Sequence, residues 1–205
     1  MDYEHPRYVA FDIGNVLCHV HLNTFYDFLV TENVVSSKEQ ADEFLSGIQH
    51  PQDLGLYNIR QGFYRFNPNL PRKVLQDLHD VWLSIIQPVP EMLEVVTLAI
   101  EQKYNVALLS NIGFDHSGVI RQKCKVFHHC AQHFSCEVGA RKPAKLFYQS
   151  FSWQYKWPAN VMFFDDRLEN ISSASPFFKG IHFDLDDFES DALAAGTVKE
   201  LLEIK

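Results

Sequence analysis

Two short apolar runs in this chain each end on aspartate, and this pairing constrains the fold more than any other feature. Tyr8-Val9-Ala10-Phe11 runs into Asp12 and then Ile13-Gly14-Asn15-Val16-Leu17; far downstream, Val161-Met162-Phe163-Phe164 runs into the doublet Asp165-Asp166. An apolar run of four bounded by a turn reads as a fully buried strand. A carboxylate at the carboxyl end of such a strand lies at the rim of a sheet, where open α/β folds place their ligands. Two such rims brought together make a carboxylate cluster. Unless a divalent cation joins it, that cluster is an electrostatic error.

The sequence between and beyond these runs alternates strand and helix. Val106-Ala107-Leu108-Leu109 ends on Ser110-Asn111 and follows an amphipathic stretch over residues 91–104, with Pro90 where a first-turn proline belongs. Helices are expected around residues 117–125 and 144–154, a strand near 133–138, and a loop at Gly139-Ala140-Arg141-Lys142-Pro143. This alternation predicts an α/β fold with a Rossmann-like, doubly wound parallel sheet and right-handed crossovers. Residues 19–87 differ. They predict helices over 22–31, 37–48 and 72–86, broken by loops at His50-Pro51 and Asn67-Pro68. The expected organisation is a core from residues 1–18 and 89–205, with a helical cap over 19–88 inserted after the first strand.

Composition narrows the function. A net charge of −8 over 205 residues and a pI near 5.6 argue against nucleic acid or an anionic membrane as partner. No apolar stretch reaches the roughly 20 residues of a membrane span, and Met1-Asp2-Tyr3-Glu4-His5 lacks the basic start of a signal peptide. Four cysteines in a chain this long make no disulfide framework, so a cytoplasmic location is expected. The acidic stretch from Asp184 to Asp191 lacks the glycine and spacing of a calcium loop and reads as a solvated loop.

Four polar points fall at strand ends or in the loop between them: Asp12, Ser110-Asn111, Lys142 and Asp165-Asp166. Taken as one site, they fit phosphoryl transfer through an aspartyl-phosphate, which splits a hard hydrolysis into two easier steps. Each like-charge pair in such a site costs about 4 kcal/mol at about 4 Å and an effective dielectric near ~20. One lysine cannot offset three carboxylates and a phosphate dianion, whereas Mg²⁺ can. Ser110 and the Asn111 amide would bond the phosphoryl oxygens, and Lys142 would hold the phosphate as a point charge.

The order, type and spacing of these points resemble the haloacid dehalogenase (HAD) superfamily across nearly the whole chain. Phe11-Asp12-Ile13-Gly14-Asn15-Val16-Leu17 resembles its first motif and Leu108-Leu109-Ser110-Asn111 its second. Gly139 through Pro143 resembles the third, and Phe163-Phe164-Asp165-Asp166 with Asn170 the fourth. The resemblance implies a Mg²⁺-dependent phosphatase acting on a small phosphorylated metabolite, with Asp12 as nucleophile. Its metal would be held by Asp12, the Gly14 backbone carbonyl and Asp166, with Asp165 close by. Most phosphatases of that family carry a second aspartate two residues after the nucleophile, as the acid and base for the leaving oxygen. Here that position is Gly14. The string Asp-Ile-Gly-Asn-Val resembles the first motif of bacterial sugar-phosphate phosphatases, glucose-1-phosphatases among them. This implies that glycine is compatible with turnover, either because a sugar-1-phosphate leaves readily or because a cap residue or water supplies the proton.

Plainer readings stand beside these. Asp12 and the doublet can cap helices, Ser110-Asn111 can be a simple turn, and Lys142 an exposed loop lysine. His19 and His21 are candidates for the missing acid, although strand-end histidines more often satisfy local hydrogen bonds. Cys124, His128, His129, Cys130, His133 and Cys136 lack the paired spacings of a zinc site. Gln61-Gly62-Phe63 and Trp82 are candidate selectors of substrate, with cap packing the commoner role for a tryptophan such as Trp82. A phosphomutase depends on the acid that Gly14 replaces, and a 2-haloacid dehalogenase would carry a tyrosine in the first motif. A non-catalytic binder of a phosphorylated metabolite or a protein partner is the non-enzymatic alternative.

Overall fold

A computed structural model describes residues 7–158 and 161–205. The segment Met1–His5 read above for a leader lies outside the described residues. The chain begins with β1 (Arg7–Phe11) and β2 (Cys18–Val20), then passes through α1 (Leu22–Thr31), α2 (Lys38–Asp53), α3 (Ile59–Phe66) and α4 (Arg72–Ser84). It returns by β3 (Ile86–Pro88), α5 (Pro90–Glu101), β4 (Tyr104–Ser110), α6 (Phe114–Lys123), β5 (Ala131–Phe134) and α7 (Ser135–Val138). It closes with α8 (Lys145–Tyr155), β6 (Val161–Asp165), α9 (Leu168–Ala174), β7 (Phe178–His182) and α10 (Asp191–Leu202).

Five strands form one parallel sheet in the order β5-β4-β1-β6-β7. β1 is central, with Val9 opposite Val106 on one side and Met162 on the other. Its side chains alternate between two cores, which is why the run is apolar throughout. Val9 and Phe11 pack with Met92, Val95 and Val96 of α5 and Val198 of α10, whereas Ala10 packs with Phe147 and Phe151 of α8 and Ala174 of α9. From β1 the chain proceeds outward to β4 and β5, and from β6 outward the other way to β7. The carboxyl ends of β1 and β6 therefore flank the topological switch point, where such sheets open a crevice.

The helices α1–α4 carry a core of their own, built from Phe25, Leu29, Phe44, Leu45, Ile48, Ile59, Phe63, Leu78 and Trp82. Their entry and exit are the two strands of one small antiparallel ribbon, in which Cys18 pairs with Pro88 and Val20 with Ile86. Several local expectations are corrected. α2 does not break at His50-Pro51 but continues to Asp53, with Pro51 inside its last turn. The proline removes one backbone bond, yet burial of Ile48, Gln52 and Asp53 holds the turn helical. α3, not expected as a helix, is fixed by a capping box between Asn58 and Gln61. The stretch 133–138 is half strand and half helical turn, and the helix expected at 117–125 spans Phe114–Lys123. The acidic run is not wholly a solvated loop, since Leu185 is buried and Asp191 begins α10.

Candidate active site

The backbone N–H of Asp12 donates to the Phe164 carbonyl at 2.8 Å, which locks the end of β1 to the end of β6. The first consequence is a shared carboxylate site: oxygens of Asp12, Asp165 and Asp166 lie within 4.8 Å of one another. Asp12 Oδ1 accepts from the Ile13 N–H at 2.7 Å, and its Oδ2 lies 3.0 Å from Lys142 Nζ. The same ammonium donates to Asp165 Oδ2 at 2.6 Å. Asp165 Oδ1 takes two further donors, Asn170 Nδ2 at 2.8 Å and the Arg167 N–H at 2.9 Å.

Lys142, expected on a loop, has its side chain completely buried. Two bonds hold its backbone: Lys142 N–H donates to Asn111 Oδ1 at 2.8 Å, and Asn111 Nδ2 donates to the Lys142 carbonyl at 2.9 Å. Gly139, with φ of 67°, turns the chain out of α7 towards this loop in a conformation that L side chains rarely adopt. The Asn111 side chain thus serves the loop. Ser110 is buried beside Asp12 and helps keep that carboxylate charged.

The charges are unevenly compensated. Burial alone would lower Lys142, but Asp12 and Asp165 outweigh it and hold the ammonium charged. Burial pushes the Asp12 carboxyl up, against the pull of Lys142, and Asp165 adds to the rise. Asp166 is driven up to about 7 by burial and by its two aspartate neighbours. No lysine or arginine among the described residues forms an ion pair with it. Asp12 and Asp166 are therefore both short of positive charge, and the oxygen-only donor set is that of a hard cation such as Mg²⁺. The residues present fit that ion. Among the described residues no backbone or side-chain donor is bonded to the Gly14 carbonyl, which leaves it free as a further oxygen ligand.

Above the carboxylates is a cavity of about 210 Å³, lined by Asp12, Gly14, Ser110, Lys142 and Asp166 below and by Gln49, Gln52, Asp53, Trp82 and Ile85 of the helical insertion above. Arg141, Arg167 and His116 also line it. A larger depression of about 800 Å³ on α3 and α4 shares none of these residues. Gln61 is spent in its capping box, Phe63 is buried in the insertion core, and neither lines the cavity. Trp82 does, besides packing on Phe25 and His116. His19 is paired with Asp191 at 3.0 Å and neither it nor His21 lines the cavity. The cysteine and histidine cluster forms no metal-ligand group among the described residues; His133 is fully buried and bonded to the Phe147 carbonyl and Ser150. Gln52, Asp53 and Arg167 had no signal in sequence, and Arg141 none beyond its place in the Gly139–Pro143 loop, because their role depends on which way the insertion folds back over the sheet.

The fold is that of haloacid dehalogenase-type enzymes. A HAD family enzyme from Bacteroides thetaiotaomicron, solved with magnesium and inorganic phosphate, superposes with a TM-score of 0.75 at 19% identity, covering 91% of this chain and 98% of that one. A HAD phosphatase from Thermococcus onnurineus aligns with a TM-score of 0.67 at 14% identity over 96% and 97% of the two chains. An L-2-haloacid dehalogenase aligns with a TM-score of 0.61 at 17% identity over 88% and 85%. No family model matches the sequence, and no curated protein matches it. Among the described residues no helix is long and apolar enough to cross a membrane.

Proposed function

We propose that the protein is a Mg²⁺-dependent phosphatase that cleaves a small phosphomonoester, a sugar phosphate in particular, through an aspartyl-phosphate on Asp12. One observation carries this reading: a buried aspartate at the switch point, ion-paired to a buried lysine and within 4.8 Å of two further carboxylates, one of which, Asp166, has no basic partner among the described residues. Asp12 and Asp166, with the Gly14 carbonyl, would hold the cation. Asp165, its oxygens already committed to Lys142, Asn170 and Arg167, acts as the outer brace that fixes Lys142. When bound, Mg²⁺ neutralises the carboxylates and the incoming phosphate and keeps Asp12 ionised at neutral pH.

Asp12 attacks phosphorus from the sheet side. Lys142, Ser110 and the Asn111 main chain hold the non-bridging oxygens, so the ester oxygen leaves towards the helical insertion. We read α1–α4 as a cap that closes this path and excludes water. A cavity of about 210 Å³ suits a small leaving group. The neighbour solved with magnesium and phosphate supports the phosphatase reading over dehalogenation, as does the acidic doublet, which suits a cation and not a halide. The experiment is hydrolysis of p-nitrophenyl phosphate and of a sugar-1-phosphate with Mg²⁺ and with excess chelator. Turnover with metal, abolished by chelator, is expected; full activity in chelator sinks the mechanism, and no turnover of any ester favours the non-catalytic binder.

A further inference from the structure

Position 14 supplies no proton donor. A Cβ added to Gly14 would lie 3.3 Å from Val20 Cγ2, a tight contact with the ribbon, and glycine carries no acid there. The titratable groups lining the cavity can be taken in turn. Asp12 and Asp166 are engaged in attack and charge balance. Lys142 is held charged by two carboxylates, and Arg141 and Arg167 do not release protons. His116 donates its Nε2 proton to the Trp82 carbonyl at 2.6 Å, and burial pushes it down to about 4, so it is neutral and committed. One group is left.

We propose that Asp53, delivered by the last turn of α2, is the general acid and base of the reaction. It lines the cavity from the insertion side, opposite Asp12, where an in-line displacement sends the leaving oxygen. It is 4% exposed. Arg141 Nη2 stands 3.2 Å from its Oδ2 and fixes its position, yet that oxygen and Arg141 Nε both lack a hydrogen-bond partner. A carboxylate at the C-terminal end of a helix also opposes the helix dipole, so the fold gains nothing from its charge. Burial pushes its carboxyl up to about 6; the groups facing it are Arg141, Lys142 and Arg167, which lower it, and Asp12, which raises it. An acid near 6 can both give and take a proton at neutral pH.

The steps balance. Asp12 Oδ forms a bond to phosphorus as the P–O bond to the leaving group breaks; the leaving oxygen keeps the electron pair and takes the Asp53 proton, departing as an alcohol. Asp53, now a carboxylate, removes a proton from water as the water oxygen attacks phosphorus. The P–O bond to Asp12 breaks, phosphate is released, and both aspartates return to their starting states.

This inference rests on the phosphatase reading, and rapid-mixing kinetics on wild type, Asp53→Asn and Asp53→Glu separates the two. For Asp53→Asn, an aryl phosphate, which needs no acid, should still give a burst of about one equivalent of phenol before a slowed steady state. An alkyl phosphate should lose its phosphoryl-transfer step by ~10²–10⁴-fold. Asp53→Glu should recover part of that loss. Equal losses on both esters, or wild-type behaviour of Asp53→Asn, would overturn the assignment while leaving the phosphatase intact. No burst and no turnover by wild type would overturn both. A second readout needs no turnover: the Asp53 carboxyl carbon, followed by NMR, should titrate near 6, and a midpoint near the ordinary 3.8 would also overturn it.

Discussion

The floor and the roof of the cavity differ in how far their polar groups are tied together. On the floor, Asp165 has both oxygens occupied, Lys142 bridges two carboxylates, and Asn111 is bonded twice to the Lys142 backbone, while Asp166 and Asn170 Oδ1 are left for something else to satisfy. On the roof, the insertion buries Gln52 Oε1 and Trp82 Nε1 without hydrogen-bond partners and Asp53 Oδ2 with only its ion pair to Arg141. A buried polar atom left unpaired costs about 1–3 kcal/mol, so these groups on one wall of one cavity are hard to explain as packing. The difference fits the proposed mechanism, in which the rim holds the nucleophile and the cation while the roof brings Asp53 to the leaving oxygen and polar contacts to the substrate.

The contrast can be broken most decisively on the floor. Asp12→Asn keeps the shape but removes the attacking charge, so turnover should fall on the order of 10⁴-fold or more, and beryllofluoride should no longer attach; substantial residual turnover ends the covalent route. Lys142→Met should cost about 3–5 kcal/mol in urea denaturation, because it leaves buried carboxylates uncompensated; a loss under about 1 kcal/mol would mean the ion pairs are not what organises the rim. Asp166→Asn should raise the Mg²⁺ concentration for half-activity by at least ~10–100-fold with the fold intact by circular dichroism.

The roof calls for gentler tests. Gln52→Leu should lower kcat/KM about tenfold for a polyhydroxylated ester and leave p-nitrophenyl phosphate unchanged; equal effects on both would deny it a role in recognition. Asp53 also predicts a pH signature. Its folded carboxyl is raised from 3.8 to about 6, so its contribution to stability is full below 3.8 and is lost as pH rises through about 6. Comparing pH-dependent melting of wild type and Asp53→Asn should show that slope only in wild type. The smallest effect is expected for His21→Ala, which lies outside the cavity and should change the rate less than about twofold.

The floor was legible in the sequence, and of the roof only Trp82 was. Strand ends announce themselves, because a fully buried strand must be apolar along its length and polar where it stops; Asp12, Ser110 and Asp165 were each found this way. Lys142 was legible only through its place among those motifs, and its complete burial was not, since a lysine before a proline looks like loop. The roof depends on helix-to-sheet packing that no local pattern encodes. Pro51 suggested a break, and that break would have moved Gln52 and Asp53 out of the helix whose end positions them. Gln61, a candidate selector of substrate by sequence, caps α3 instead.

The ribbon of β2 and β3 has one more consequence. Because the insertion leaves and rejoins the sheet on adjacent paired strands, the parallel sheet experiences those helices as a single closed loop. Closing a loop depends only weakly on its length, each doubling costing about 0.6 kcal/mol. Helices within it can therefore lengthen or shorten with little effect on the sheet, provided the end of α2 still delivers Asp53 to the cavity. The remaining lining of the roof is free to drift while the sheet rim beneath it stays still.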